Sequence, residues 1–135
     1  MSAVLIDSCV VLDLTDPDSA WFEWSAGTLE SLDAETTFLI DPVVYAEVSV
    51  GFALVESLEA LLGRLDLVHR EIPRAALFLA GKAFLTYRRS GGTKIGVLPD
   101  FFIGAHAAVS GYRLMTRDTR RFATHFPTVE LISPS

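Results

Sequence analysis

Apolar residues recur along this chain with two periods, and the polar residues that interrupt them define its elements. Ala3-Val4-Leu5-Ile6 is a short continuous apolar run that ends at Asp7, the pattern of a strand buried on both faces. Ser8 is placed to cap a short helix carrying Val10, Val11 and Leu12. Asp16-Pro17-Asp18-Ser19 is a turn and helix-start signal, and its helix is expected to run to about Asp33, burying Trp21, Trp24, Leu29 and Leu32 in part. Thr36 to Ile40 is a β-branched and apolar run of strand length, after which Asp41 caps a helix with Pro42 at its first position.

The helical pattern continues to about Leu65, with a break near Gly51 to Val55. Leu67 to Ile72 is a weaker strand, and Pro73 starts a helix with apolar residues from Ala75 to Tyr87. Ser90-Gly91-Gly92-Thr93 is a flexible loop. Pro99 starts a helix ending near Gly111, Tyr112 to Thr116 is a strand, Thr119 to Phe126 a short helix or turn, and Thr128 to Ile132 a last strand. Alternation of this kind predicts an α/β fold with a mainly parallel central sheet flanked by helices, as a single domain over residues 1–135.

Half of the residues are hydrophobic, which is rich for this length and points to an apolar patch covered by a partner or a second copy. No apolar run reaches the roughly 18 residues of a membrane span, and the start lacks a signal-type segment, so no membrane partner and a cytoplasmic location are expected. The single cysteine, Cys9, has no partner for an internal disulfide and no companions at zinc spacing. Its expected role is that of a small buried residue.

The net charge of -6 conceals an asymmetry. Residues 1–71 hold 14 acids and two bases, whereas residues 72–135 hold nine bases and three acids. Arg74, Lys82, Arg88, Arg89 and Lys94 follow one another with no acid between Glu71 and Asp100, and Arg113, Arg117, Arg120 and Arg121 come later. A basic surface that tracks phosphates beside an acidic metal pocket has this distribution, as do solvated helix faces.

Four acids stand where the pattern demands something else. Asp7 closes the first strand, and Asp118 follows the strand Arg113 to Thr116 in the same manner. Glu47 has Val43, Val44, Val50, Gly51 and Leu54 as helical neighbours, and Asp100 has Ile103, Gly104 and Ala107. A lone buried carboxylate costs several kcal/mol unless a partner offsets it or it takes up a proton. In a parallel sheet both strand ends and both helix starts open at one edge, so the four are predicted to share a cation. Carboxylate and water ligands suit Mg²⁺ or Mn²⁺, ions that serve phosphodiester hydrolysis.

The chain resembles the PIN-domain nucleases, and among them the VapC-type toxins of prokaryotic toxin–antitoxin pairs. The resemblance covers nearly the whole chain. It is carried by Ile6-Asp7-Ser8, by Val44-Tyr45-Ala46-Glu47-Val48 after Pro42, by Leu98 to Ala107 with Pro99-Asp100 at its start, and by Leu114-Met115-Thr116-Arg117-Asp118 followed by Phe122. What it implies is a three-layer PIN-like fold and a Mg²⁺- or Mn²⁺-dependent endoribonuclease, dimeric, acting on RNA and held inactive by a cognate antitoxin. Asp7, Glu47, Asp100 and Asp118 match the family's metal-binding and catalytic acids, and Ser8 and Thr116 match hydroxyl positions that orient them. Arg88, Arg89, Lys94 and Arg117 are the residues expected to track RNA.

Two departures stand out. Cys9 occupies a place where the family often has Asn or Ser, so loss of a supporting hydrogen bond is expected. Arg121 precedes Phe122 where a further acid is common, which implies one firmly held ion and another arriving with RNA. Two other readings compete: a non-catalytic PIN-like module that only binds RNA or protein, and a phosphatase with an aspartyl nucleophile. The phosphatase needs a second Asp two residues after the first, where Cys9 stands.

Overall fold

A computed structural model of the chain describes residues 2–32, 34–94 and 98–134. Its centre is a five-stranded sheet, all parallel, of β1 (Ser2–Ile6), β2 (Thr36–Ile40), β3 (Leu67–His69), β4 (Arg113–Met115) and β5 (Leu131–Ile132). The order across the sheet is β3-β2-β1-β4-β5. Helices α1 (Ser8–Leu14), α2 (Phe22–Ser31), α3 (Pro42–Ser49), α4 (Val55–Arg64), α5 (Arg74–Arg89), α6 (Pro99–Ser110) and α7 (Arg120–His125) connect the strands. The expected α/β, PIN-like arrangement of helices around a parallel sheet is therefore present.

This order has a functional consequence. The chain steps outward from β1 to β2 and β3, then returns to the other side of β1 for β4 and β5. The direction of winding thus reverses between β1 and β4. Open parallel sheets bind ligands in the crevice at the carboxyl ends of such a pair. Ile6 lies opposite Met115 in the register, so the segments that begin at Asp7 and Thr116 leave the sheet side by side.

Burial explains why these strands form. Val4, Leu5, Ile6, Leu39, Ile40, Leu114 and Met115 are each at most 1% exposed, as central parallel strands covered on both faces require. Helix α6 supplies Phe101, Ile103, Ala105 and Ala107 to the same core. A Cβ on its Gly104 would come within 2.3 Å of the Phe126 ring, so that position holds α6 close to the segment after α7. The neighbouring α5 buries only alanines, Ala76, Ala80 and Ala83, and leaves Leu77, Phe78 and Leu85 exposed.

Four expectations change. The last strand, expected from Thr128 to Ile132, is confined to Leu131–Ile132, because the Val129 amide turns back to the Phe126 carbonyl. Asp7, not Ser8, caps α1, its carboxylate accepting from the Ser8 amide at 2.8 Å. Helix α2 begins at Phe22 instead of the Pro17 turn, because Asp16 accepts from the Asp18 amide and Ser19 from the Trp21 amide, which holds the chain in turns. Its far limit, Asp33, lies outside the described residues. Strand β3 is three residues long and ends at His69, short of Ile72. The break between α3 and α4 falls where expected, and Gly111 ends α6 in the left-handed conformation, φ 71°, that favours glycine. Among the described residues no helix is long and apolar enough to cross a membrane.

Candidate metal centre

Asp7 is 4% exposed and fixed from three directions. Its amide donates to the Met115 carbonyl at 3.0 Å, continuing the β1–β4 pairing by one residue. Oδ1 takes the Ser8 amide, and Oδ2 takes the Thr116 hydroxyl at 2.7 Å. Thr116 Oγ1 in turn accepts the Asp118 amide at 3.0 Å. One buried hydroxyl therefore links the acid after β1 to the acid after β4.

Cys9 alters an expectation. Its thiol lies 3.6 Å from Asp7 Oδ2 and 3.8 Å from Thr116 Oγ1, so a weak S–H donor stands where a stronger one was expected to be lost. Burial, then the charge of Asp7, pushes that thiol up to about 11. It stays protonated at neutral pH and is no nucleophile.

Glu47 and Asp100 approach from the helices. Glu47, in the second turn of α3, is half-buried, and burial raises its carboxyl pKa. The Ser8 hydroxyl offsets this in part, while the charges of Asp7 and Asp41 raise it further. Its Oε1 is buried with no hydrogen-bond partner among the described residues. Asp100, in the first turn of α6 behind Pro99, titrates at about 6. Burial is the main cause, and the charges of Asp7, Asp118 and Glu47 add to it against the pull of Arg121. Asp7 is likewise raised by burial and by Asp118, against its three hydrogen bonds. Asp118 itself is exposed at the rim.

The structure thus brings the four predicted acids to one crevice, where they repel one another. They fit a hard cation: the donors are carboxylate oxygens, and the buried Glu47 Oε1 lacks a partner that such an ion would supply. Among the described residues no three His, Cys, Asp or Glu side chains are already closed into a metal-holding group. Both Asp7 oxygens carry hydrogen bonds, and Asp100 Oδ2 leans toward Arg121 Nη1 at 3.7 Å.

Two further buried acids, Asp13 and Asp41, hold the elements around the crevice; the capping role of Asp41 is as the sequence predicts, whereas its contact with His106 and the role of Asp13 were not evident from the sequence pattern. Asp13 is 5% exposed and accepts from Arg117 Nε at 2.8 Å, Arg117 Nη2 at 3.2 Å, Ser19 Oγ and Ser25 Oγ. The Arg117 guanidinium also lies over the Trp21 ring, 5.4 Å from its centroid. Since Arg117 sits between Thr116 and Asp118, this network pins the loop after β4 to α1 and α2. Asp41 caps α3 through the Val43 and Val44 amides, and its other oxygen meets His106 Nδ1 of α6 at 3.0 Å in a fully buried contact. That contact ties together the helices carrying Glu47 and Asp100. Asp13 had a sequence signal of the same kind as Glu47, since Cys9 and Val10 lie one turn before it on the buried face of α1.

The residues expected to track RNA fall into two groups. Arg88, Arg89 and Lys94 are exposed at the end of α5 and in the loop beyond it, where Arg88 Nη1 donates to the Lys94 carbonyl. Arg117 is half-buried and commits two of its nitrogens to Asp13.

No protein-family model matches the chain, and no curated protein does so. Solved structures do match. VapBC2 from Rickettsia felis, bound to a DNA fragment from its promoter, superposes with a TM-score of 0.75 at 18% identity, over 97% of this chain and 98% of the other. VapBC-1 from nontypeable Haemophilus influenzae gives 0.73 at 18% identity, over 97% of each chain. The fold is that of VapC-type toxins. VapC20 of Mycobacterium tuberculosis, a toxin that cleaves the sarcin–ricin loop, shares this PIN-like fold at a TM-score of 0.65 and 14% identity, over 94% of this chain and 98% of that one. PIN-like architecture places the reversal of winding at β1 and β4, and with it the crevice that Asp7 and Asp118 border.

Proposed function

We propose that this chain is a Mg²⁺- or Mn²⁺-dependent endoribonuclease that hydrolyses RNA phosphodiester bonds, and that it is the toxin of a toxin–antitoxin pair. One observation carries the reading: carboxylates from four distant segments border the crevice at the reversal point of the sheet, closely enough for Asp7, Asp118 and Glu47 to add to the burial that raises the pKa of Asp100, and among the described residues Glu47 Oε1 is buried without a hydrogen-bond partner. The fold shared with a toxin that cleaves the sarcin–ricin loop supports it.

In this reading Asp7, Glu47, Asp100 and Asp118 hold the ion. A divalent ion held by them would supply charge neutralisation to a phosphate and acidity to a water. The chain's own groups do the positioning. Thr116 fixes one oxygen of Asp7 and the backbone of Asp118, so the two strand-end acids keep a set separation. Ser8 orients Glu47. The Asp13–Arg117 network holds the Asp118 loop in place, and Asp41 with His106 holds α3 against α6. Arg88, Arg89 and Lys94 lie on an exposed basic surface suited to the RNA backbone.

A cognate antitoxin and a second copy of the chain complete the proposal, with the cytoplasm as its location. Phe78 is 69% exposed and Val50 88%, so apolar surface is available for partners to cover. An antitoxin Arg or Lys entering the crevice would meet carboxylates that already attract Arg121.

The test is cleavage of RNA by the purified chain with Mg²⁺ or Mn²⁺. Asp7→Asn and Asp118→Asn are each expected to reduce cleavage to background while circular dichroism shows the fold intact. Full activity in both variants, or activity undiminished by EDTA, would overturn the mechanism.

A further inference from the structure

A cleft of about 330 Å³ opens beside the acidic crevice, lined by Tyr87, Asp118, Arg120, Arg121, Thr124 and His125. We infer that this cleft is a subsite for one unpaired nucleotide of an RNA chain next to the bond that is cut, and that Thr124 and His125 read its base. The inference rests on the proposed ribonuclease function and extends it.

Position is the first argument. Asp118 belongs to both the crevice and the cleft wall, and Arg121 lines the cleft while reaching Asp100 at 3.7 Å. A nucleotide in the cleft would therefore continue directly into the carboxylates. Its volume lies within the ~300–1,000 Å³ typical of small-molecule sites. The lining chemistry suits a nucleotide: two arginines for a phosphate, and for a base edge an imidazole and the Thr124 hydroxyl, which donates to the Arg120 carbonyl at 2.9 Å and so offers its oxygen as an acceptor.

The wall is also held rigid. Tyr87 is in contact with Gly92, where an added Cβ would stand 2.3 Å from its ring, and its hydroxyl accepts from the Lys94 amide at 3.4 Å. The Arg121 guanidinium lies 5.7 Å from both the Tyr87 and Phe101 ring centroids. His125 stands edge-on to Phe101 at 5.1 Å and to Tyr87 at 6.2 Å. Burial and then Arg121 lower the pKa of this imidazole, which favours the neutral ring that can both donate and accept. A second hollow, shared by Tyr87, Thr124 and His125, leads from the cleft to the loop at Ser90 to Thr93, in the exposed basic region. Sequence-reading of RNA acts mostly on unstacked bases of single strands, and the two adjoining hollows offer such a base a place beside the crevice.

The test is binding of fluorescent oligo-rA, -rC, -rG and -rU octamers to the purified chain in EDTA, where cleavage is suppressed, followed by anisotropy. The wild type is expected to favour one base by about tenfold, the scale of a single base contact. Thr124→Val with His125→Ala should erase that preference, and His125→Phe should retain the part due to stacking. Neutralising Arg88 and Arg89 should instead weaken all four octamers alike. An unchanged preference in the Thr124/His125 variant, equal weakening of all four, or no preference in the wild type overturns the subsite. Absence of any RNA binding overturns it together with the RNA reading. If Asp7→Asn still cleaves but the cleft variant loses its preference, the subsite stands and the metal mechanism fails. Thermal unfolding of each variant checks that the fold is retained.

Discussion

Two sets of buried or half-buried carboxylates stand around the crevice and have been given opposite surroundings. Asp13 and Asp41 are satisfied by the protein itself: Asp13 by the fork of Arg117 and two serine hydroxyls, Asp41 by two helix amides and His106. Asp7, Glu47 and Asp100 have hydroxyls, amides or a distant arginine, and each is also pushed up by neighbouring acids. The contrast separates structure from function. A buried charge neutralised within the chain holds elements together, whereas like charges left facing one another add to burial in raising each other's pKa and are the feature on which the proposed cation site rests.

The sharpest way to break this comparison is to remove a partner from the satisfied set. Arg117→Ala strands Asp13 in the core, and the expected loss is about 3 kcal/mol, read by denaturant unfolding. That is a large share of a stability of roughly 5–15 kcal/mol. A loss near zero would mean that the network contributes little and that the Asp118 loop is held by Thr116 alone.

The unsatisfied set should respond in the other direction. Glu47→Gln removes a charge from a crowded site, so without metal its melting temperature is expected to equal or exceed that of the wild type. The same variant should lose the rise in melting temperature that Mn²⁺ gives the wild type. Destabilisation as large as that of Arg117→Ala would remove the distinction between the two sets.

Thr116→Val tests the link between the strand-end acids. It keeps the shape of the side chain but drops the bond to Asp7 Oδ2 and the acceptor for the Asp118 amide. Mn²⁺ affinity by calorimetry should fall by about 10–100-fold, the usual effect of losing a group that orients a metal ligand.

Acidity offers a smaller probe. Asp100 titrates at about 6 in the fold, against 3.8 for an ordinary aspartate. Between those values the folded chain holds a proton that the unfolded chain has released, so the metal-free protein is expected to lose stability as pH rises from about 4 to 6. Asp7 and Glu47, also raised, act in the same direction. Metal affinity should fall over the same range as pH is lowered, because ligands must be deprotonated. The smallest effect concerns the exposed bases. Neutralising Arg88, Arg89 and Lys94 together should reduce the slope of log affinity for single-stranded RNA against log salt by about 2.

Much of this was legible along the chain. The apolar runs before Asp7 and Asp41 mark their strands because a strand covered on both faces must be apolar throughout. Glu47 and Asp100 were visible as acids on apolar helical faces, a local pattern that needs no knowledge of neighbours. The same pattern is present at Asp13, but its short helix has too few turns to show a buried face. Arg117 stands in the sequence among the bases expected to track RNA, yet its fork is held by Asp13 from 104 residues away.

The sequence by itself determined the order of strands and helices and the four acids at their ends, since both follow from spacing between near neighbours. Only the tertiary structure decided which acids are neutralised. It placed Arg117 on Asp13, His106 on Asp41 and Arg121 near Asp100, and it left Glu47 Oε1 without a partner. Charge pairing acts through space over a few ångströms, and the chain brings those groups together only after the sheet has closed on itself.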